Sequence, residues 1–255
     1  MQPPILPKDF IYGIHAIEEC LLADQQIDKL WIQQELSQSE AVRALVQQAR
    51  QRHIPIHKLP LAKLNQITRK NHQGVIAFLS PIRFVNLHQV IQATYERGDV
   101  PFVLILDRLT DVRNFGAIAR TAETSGVHAI VIPNRTTARI GNDAMKTSSG
   151  ALGYMPVCRE GNLAHTVAFL QNSGLKVVAC TEKTDTLMYQ HQYQGPTALV
   201  IGSEEDGISE EILALVDAKA KIPMFGQIGS LNAAVSAGIL MYEVVRQRLQ
   251  PPANF

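Results

Sequence analysis

Short apolar runs alternate along this chain with stretches whose apolar residues recur at helical spacing, and glycine, proline or small polar residues separate the two. Ile14, Ile17, Leu21 and Leu22 predict a helix over residues 11–22. A strand at 29–32 follows, then a helix over 39–52 with Ser39 at its cap. A short strand at 54–56, a short helix at 61–67 and a strand at 74–78 complete an alternating run. Its roughly 80 residues are enough for a small α/β domain, assigned here to 1–80. Residues 1–9 hold three prolines and read as a loose arm, and Ser80-Pro-Ile-Arg83 reads as a hinge. A helix over 86–97 makes residues 81–100 a linker with a lead-in helix.

From Pro101 the alternation restarts, with strands at 102–106, 129–132, 156–158, 176–179 and 198–201 and helices at 115–125 and 163–171. Strands separated by helices predict a mostly parallel sheet covered on both faces, so 101–255 is read as a second α/β domain. An apolar step at Lys221-Ile-Pro-Met224 precedes a helix over 233–249. Ala233, Ala234, Val235, Ala237, Ile239, Leu240, Val244 and Val245 make that helix apolar almost all round. Such a helix is buried, or packs on a partner chain as well as on its own core.

Two of these runs stop at loops rich in glycine and small polar residues, Gly202-Ser-Glu-Glu-Asp-Gly207 and Gly226-Gln-Ile-Gly-Ser-Leu-Asn232. Loops beyond strand ends are where α/β proteins bind ligands, so these two are expected to wall one pocket. Nucleotide-binding alternatives fail on their residues. The loop Asp107–Asn114 lacks the glycines of a dinucleotide fingerprint, and Ile208 stands where a phosphate loop needs lysine. Taken singly, the polar residues here are bland. Asn114 is a helix cap, Arg120 a surface arginine, Glu204 a solvated acid, and Ser230 and Asn232 further caps.

Composition changes the picture in one place. A net charge of +1 on 255 residues does not by itself suggest a polyanion partner. Yet between Ala41 and Tyr95 there are eight basic residues and no acidic one. That window predicts a positive face that holds nucleic acid, with Lys58, Arg69 and Lys70 in or beside loops where they reach phosphates. Cys20, Cys158 and Cys180 are scattered, with no metal-binding spacing, as expected of reduced thiols. With no signal-peptide pattern ahead of Phe10 and no apolar stretch of membrane-spanning length, a cytoplasmic protein is expected.

Together the stretches are far more specific. Asp107…Asn114-x-Gly116-x3-Arg120-Thr-Ala, Leu199-Val-Ile-Gly-Ser-Glu-Glu-Asp-Gly207 and Ile222-Pro-Met…Ser230-Leu-Asn232 resemble, in order, the three signature motifs of the SpoU (TrmH-like) RNA ribose 2′-O-methyltransferases. Tyr12-Gly-Ile-His-Ala-Ile-Glu18 and Asn71-His-Gln-Gly-Val-Ile-Ala77 resemble that family's L30e-like substrate-binding domain. The resemblance covers essentially the whole chain and is nearest the branch acting on guanosine of bacterial large-subunit rRNA. One departure is Ala233-Ala234, where Val-Ser is more usual. The resemblance implies a C-terminal SPOUT domain with a trefoil knot, a homodimer formed through that domain, and no metal. It implies S-adenosyl-L-methionine as cofactor, contacted by Gly202, Ile222, Ser230 and Leu231. It also implies a reacting centre of Asn114, Arg120, Glu204 and Asn232. There Arg120 grips phosphate and stabilises developing alkoxide, while Glu204 either orients Arg120 or accepts the proton. A tRNA or rRNA-adenosine substrate, and a non-catalytic role in ribosome assembly, are the alternatives.

Overall fold

The computed structural model describes residues 10–250 apart from 24, 38, 53 and 135–139, so the proline-rich arm expected at residues 1–9 lies outside it. The chain divides into two compact units, Met1–Ile82 and Arg83–Phe255.

The first unit runs β1 (Phe10–Tyr12), α1 (Ile14–Leu22), β2 (Ile27–Gln33), α2 (Glu40–Gln51), β3 (Ile56–Leu59), α3 (Leu61–Ile67) and β4 (Val75–Leu79). Its sheet has the order β1-β4-β2-β3. β4 runs antiparallel to β1 and β2, and β2 runs parallel to β3. Along β4 the side chains alternate between two buried layers. Val75 and Ala77 join Ile17, Leu21, Val42 and Leu45 of α1 and α2, while Ile76 and Phe78 join Leu64 of α3. Residues 11 and 12, expected in the first helix, are strand instead. Gly13, at φ +88°, turns the chain, and the Ile14 N–H is capped by Gln73 Oε1 at 2.9 Å. The two N-terminal motifs therefore meet in space. Ser39 precedes α2 as expected, but its hydroxyl donates to the Leu36 carbonyl rather than capping the helix.

The second unit comprises α4 (Leu87–Glu96), β5 (Phe102–Leu106), α5 (Val112–Thr124), β6 (Ala129–Pro133), α6 (Asn142–Thr147), β7 (Val157–Glu160), α7 (Leu163–Asn172), β8 (Lys176–Cys180), β9 (Thr197–Ile201), α8 (Glu210–Leu215), β10 (Ala218–Ala220) and α9 (Ala233–Leu249). All six strands are parallel, in the order β10-β8-β9-β5-β6-β7. The central β5, FVLIL, is buried throughout, as a strand covered on both faces must be. On one side α4, α7 and α8 cover it through Leu87, Ile91, Val167, Leu170 and Ile212. α5 and α9 pack against each other, and α9 also contacts β9. Within residues 81–100, α4 belongs to this core: Leu87 and Ile91 are buried in it. The helices α6 and α8 have six residues each, too few for their periodicity to announce them. The apolar step at 221–224 is not itself a strand; β10 ends just before it.

The last helix keeps its expected bounds but not its uniform character. Glu243 and Gln247 are buried on it. Gln247 Nε2 donates to the His191 carbonyl at 2.9 Å, and its Oε1 accepts the Tyr193 N–H at 2.9 Å. Arg248 donates to the carbonyls of Gly195 and Pro101. The end of α9 is thereby laced to the long connection between β8 and β9.

Candidate active site

Strand order reverses beside β5: the chain moves to β6 and β7 on one flank, then to β8 and β9 on the other. A crevice beyond the carboxyl ends of the strands is expected at such a switch point. A cavity of about 630 Å³ opens next to that point, beyond the carboxyl ends of β8 and β9. Its walls come from the ends of β8 and β9, the Gly202–Gly207 turn and the segment 221–231.

The turn is closed by its own backbone: Ser203 and Gly207 exchange N–H···O bonds of 3.2 and 3.0 Å. Gly202 is required inside that closure. A Cβ added there would lie 2.1 Å from the Gly207 carbonyl carbon and 2.4 Å from the Ile208 nitrogen. Glycine is therefore needed for the turn itself, before any ligand is considered. Arg108 holds the turn from outside. Its guanidinium donates to the carbonyls of Asp206 at 3.1 Å and Gly207 at 3.0 Å, and it lies 3.8 Å from the carboxylate of the buried Asp107. Asp107 in turn accepts the Ser209 N–H at 2.7 Å. Arg108 adopts φ +60°, a left-handed conformation that costs a non-glycine residue energy.

The opposite wall is open in its hydrogen bonding. Among the described residues, no backbone hydrogen bond is made by residues 222–231. Ile222, Met224 and Leu231 supply apolar surface, and Gly229 and Ser230 line the cavity beside them. Cys180 also faces it; burial, with nearby Glu182, pushes its thiol up to about 12, so it stays protonated and unreactive at neutral pH.

At the rim three side chains converge. Glu204 Oε1 accepts from Asn114 Nδ2, from Asn232 Nδ2 at 2.9 Å and from the Ala233 N–H at 3.3 Å. Asn232 Nδ2 also donates to Asn114 Oδ1 at 3.0 Å. Glu204 is thus exposed yet fully directed, rather than a freely solvated acid. Asn232 does two things at once: its Oδ1 caps α9 through the N–H groups of Ala234 and Val235, and its amide reaches Glu204.

Asn114 does not cap α5, contrary to its expected place at the helix start. Asp111 does, accepting the N–H groups of Arg113 and Asn114 at 2.6 and 3.0 Å. The helix begins one turn early, which releases the Asn114 amide for Glu204. Gly116, two residues on, lets α5 approach α6: an added Cβ would lie 2.8 Å from the Ala144 carbonyl oxygen. Gly202, Ile222, Ser230 and Leu231 line the cavity together. Arg120 lies on the same helix as Asn114, exposed, and makes no side-chain hydrogen bond or ion pair among the described residues. The strand expected at 54–56 lies instead at Ile56–Leu59, so Lys58, expected in or beside a loop, is exposed inside β3; Arg69 and Lys70 are exposed between α3 and β4 as expected. No group of His, Cys, Asp or Glu among the described residues could hold a metal ion, and no helix among them is long and apolar enough to cross a membrane.

Residues 101–242 match the model of the SpoU rRNA Methylase family. The chain belongs to that family. Residues 10–85 of this SpoU methyltransferase match the "RNA 2'-O ribose methyltransferase substrate binding" model. A Bacillus subtilis protein, YacO, named for the TrmH family of tRNA/rRNA methyltransferases, is 37% identical over 94% of this chain and 96% of its own length. A Staphylococcus haemolyticus relative with the same family name is 35% identical over 96% of this chain and 98% of its own. Among solved structures, the SpoU methyltransferase AviRb of Streptomyces viridochromogenes, in complex with AdoMet, is similar in fold (TM-score 0.60, 23% identity, 94% of this chain and 90% of that one). The A. aeolicus TrmH/SpoU tRNA modifying enzyme is similar over 62% of this chain and 84% of its own (TM-score 0.54, 28% identity).

The sequence motifs of this SpoU enzyme give no role to Arg108 or to the Asp111 cap. Asp111 is detectable, since aspartate caps as well as asparagine and the helical spacing extends back to Val112. Arg108 has no signal, because its partners lie about a hundred residues away.

Proposed function

We propose that this enzyme transfers a methyl group from S-adenosylmethionine to a ribose 2′-hydroxyl of large-subunit rRNA, on a guanosine. The observation carrying the reading is the Asn114–Glu204–Asn232 cluster at the rim of the cavity. The cavity suits the cofactor: its volume is that of a small-molecule site, and its apolar lining sits beside unpaired backbone groups of 222–231. S-adenosylmethionine supplies an electrophilic methyl group on sulfonium. In this reading Gly202, Ile222, Ser230 and Leu231 bind it, largely through backbone atoms.

The ribose hydroxyl that would take this methyl group must lose its proton. Glu204 accepts that proton, because its carboxylate is oriented by two amides and one backbone N–H. Asn114 and Asn232 keep Glu204 in place. Arg120, which forms no ion pair among the described residues, holds the neighbouring phosphate and stabilises the developing alkoxide. Guanidinium hardly deprotonates, so it is not the base.

The first unit, which matches a substrate-binding model of RNA 2'-O ribose methyltransferases, supports RNA as the substrate, and the match to the SpoU rRNA Methylase family supports rRNA. The strand order and the lacing of α9 to the 181–196 connection support a trefoil knot. Val235 and Tyr242, each about half exposed (49% and 51%) on α9, support a homodimer through this unit. A soluble cytoplasmic setting completes the reading. The test is transfer of labelled methyl from S-adenosylmethionine to unmodified rRNA and to tRNA, followed by mapping of the modified ribose. Transfer to tRNA alone, or to an adenosine, overturns the substrate assignment; no transfer to any RNA overturns the activity.

A further inference from the structure

We propose that the groove between α2 and β3 is the phosphodiester-binding site of the first unit, an inference that rests on the reading of RNA as substrate. Arg43, Val46, Gln47 and Arg50 fall at i, i+3, i+4 and i+7 on α2, so they form one stripe along it. The neighbouring stripe, Val42, Leu45 and Ala49, is buried in the core with Val46 packed against it, which fixes the helix and leaves Arg43, Gln47 and Arg50 exposed beside it. Lys58 approaches the same groove from β3, the edge strand of the sheet. The cavity they enclose has a volume of about 460 Å³, with Ser37 at its margin.

Three cations from two elements thus converge on one concavity, and among the described residues no acid lines it. Arg50 and Lys58 form no ion pair among the described residues. A concave cationic surface with a low-dielectric floor concentrates potential and attracts a polyanion. The lining also discriminates among polyanions. Among the described residues that line it there is no aromatic one and only Val46 is apolar, too little for the apolar centre of a protein interface. Arg69 and Lys70 do not line this groove. The exposed cations expected to hold RNA are therefore two separate sets, and Lys58 belongs with Arg43 and Arg50.

The experiment is titration of a labelled rRNA fragment with the full-length protein at several salt concentrations. Removing one cation–phosphate pair flattens the log–log salt slope by a little under one unit. Arg50→Gln with Lys58→Gln should therefore flatten it by somewhat less than two units and weaken binding about ten-fold at moderate salt. The charge-conserving pair, Arg50→Lys with Lys58→Arg, should keep the wild-type slope. Thermal midpoint and S-adenosylmethionine affinity should match wild type in both, since the substitutions are exposed and remote in sequence from the cofactor cavity. Wild-type slope and affinity in the neutralised pair overturn the groove, as does tighter binding of polyglutamate than of RNA. The two proposals can fail separately. Groove-dependent RNA binding without methyl transfer leaves the groove standing and removes the activity. Methyl transfer whose KM for RNA ignores the groove pair does the reverse.

Discussion

Arg108 donates to the Gly207 carbonyl at 3.0 Å, joining the end of β5 to the turn that carries Glu204. The bond spans 99 positions of sequence and is made by a residue held at φ +60°. An unfavourable backbone is maintained there, and the guanidinium bonds to the turn offset it.

Two substitutions separate those opposing effects. Arg108→Ala removes the bonds to Asp206 and Gly207 and keeps the strained backbone, so it should destabilise the protein by about 1–3 kcal/mol. Arg108→Gly removes the same bonds but relieves the strain, and should be the milder change by about 1 kcal/mol. Denaturant unfolding of the two variants decides it. If glycine is no milder than alanine, the strain is not real.

Gly202 is expected to report on the fold before it reports on ligand. Because a Cβ there would meet the Gly207 and Ile208 backbone, Gly202→Ala should lower stability by about 2 kcal/mol or more without any cofactor present. Thermal unfolding of the cofactor-free protein measures this directly. A wild-type midpoint would mean that the turn relaxes freely.

Arg120 and Glu204 should be separable from binding. Arg120 is exposed and forms no ion pair among the described residues, so Arg120→Ala should leave the unfolding midpoint and S-adenosylmethionine affinity near wild type. Methyl transfer should fall by about a hundred-fold or more. Glu204→Gln keeps an acceptor for the two asparagines but cannot take a proton, and should reduce kcat by a similar factor. Single-turnover kinetics beside calorimetry test both; near-normal turnover in either variant removes that residue from the chemistry.

A stability change with pH should trace to His128. Burial holds its pKa below the ordinary histidine value, and its Nδ1 accepts the Phe102 N–H at 3.1 Å in the neutral form. The unfolded chain takes up a proton at this site near about pH 6.5, while the folded chain resists. Its contribution is therefore complete above that value and is lost as pH falls through it. His128→Gln should flatten the decline in unfolding midpoint between about pH 7.5 and 5.5. Parallel pH curves for wild type and variant would exclude this residue.

The local architecture was legible in the sequence because it is set by short-range patterning. A run such as FVLIL at 102–106 can be little but a buried strand, and the bounds of α9 follow from seventeen residues between the Asn232 cap and Gln250. The motif glycines and polar residues at strand ends marked the cavity for the same reason: loops there are built from nearby residues. The tertiary structure decided what those residues do. Asn114 and Asn232 reach Glu204 across 90 and 28 positions, and no periodicity encodes a hydrogen bond between separate loops. Once Asp111 had taken the cap, the Asn114 amide was free for Glu204. Gly202 proved necessary for a turn, Arg108 for its clamp, and Lys58 part of a groove with α2. Each of these depends on which segments the fold brings within about 3 Å, a scale at which hydrogen bonding and steric exclusion act.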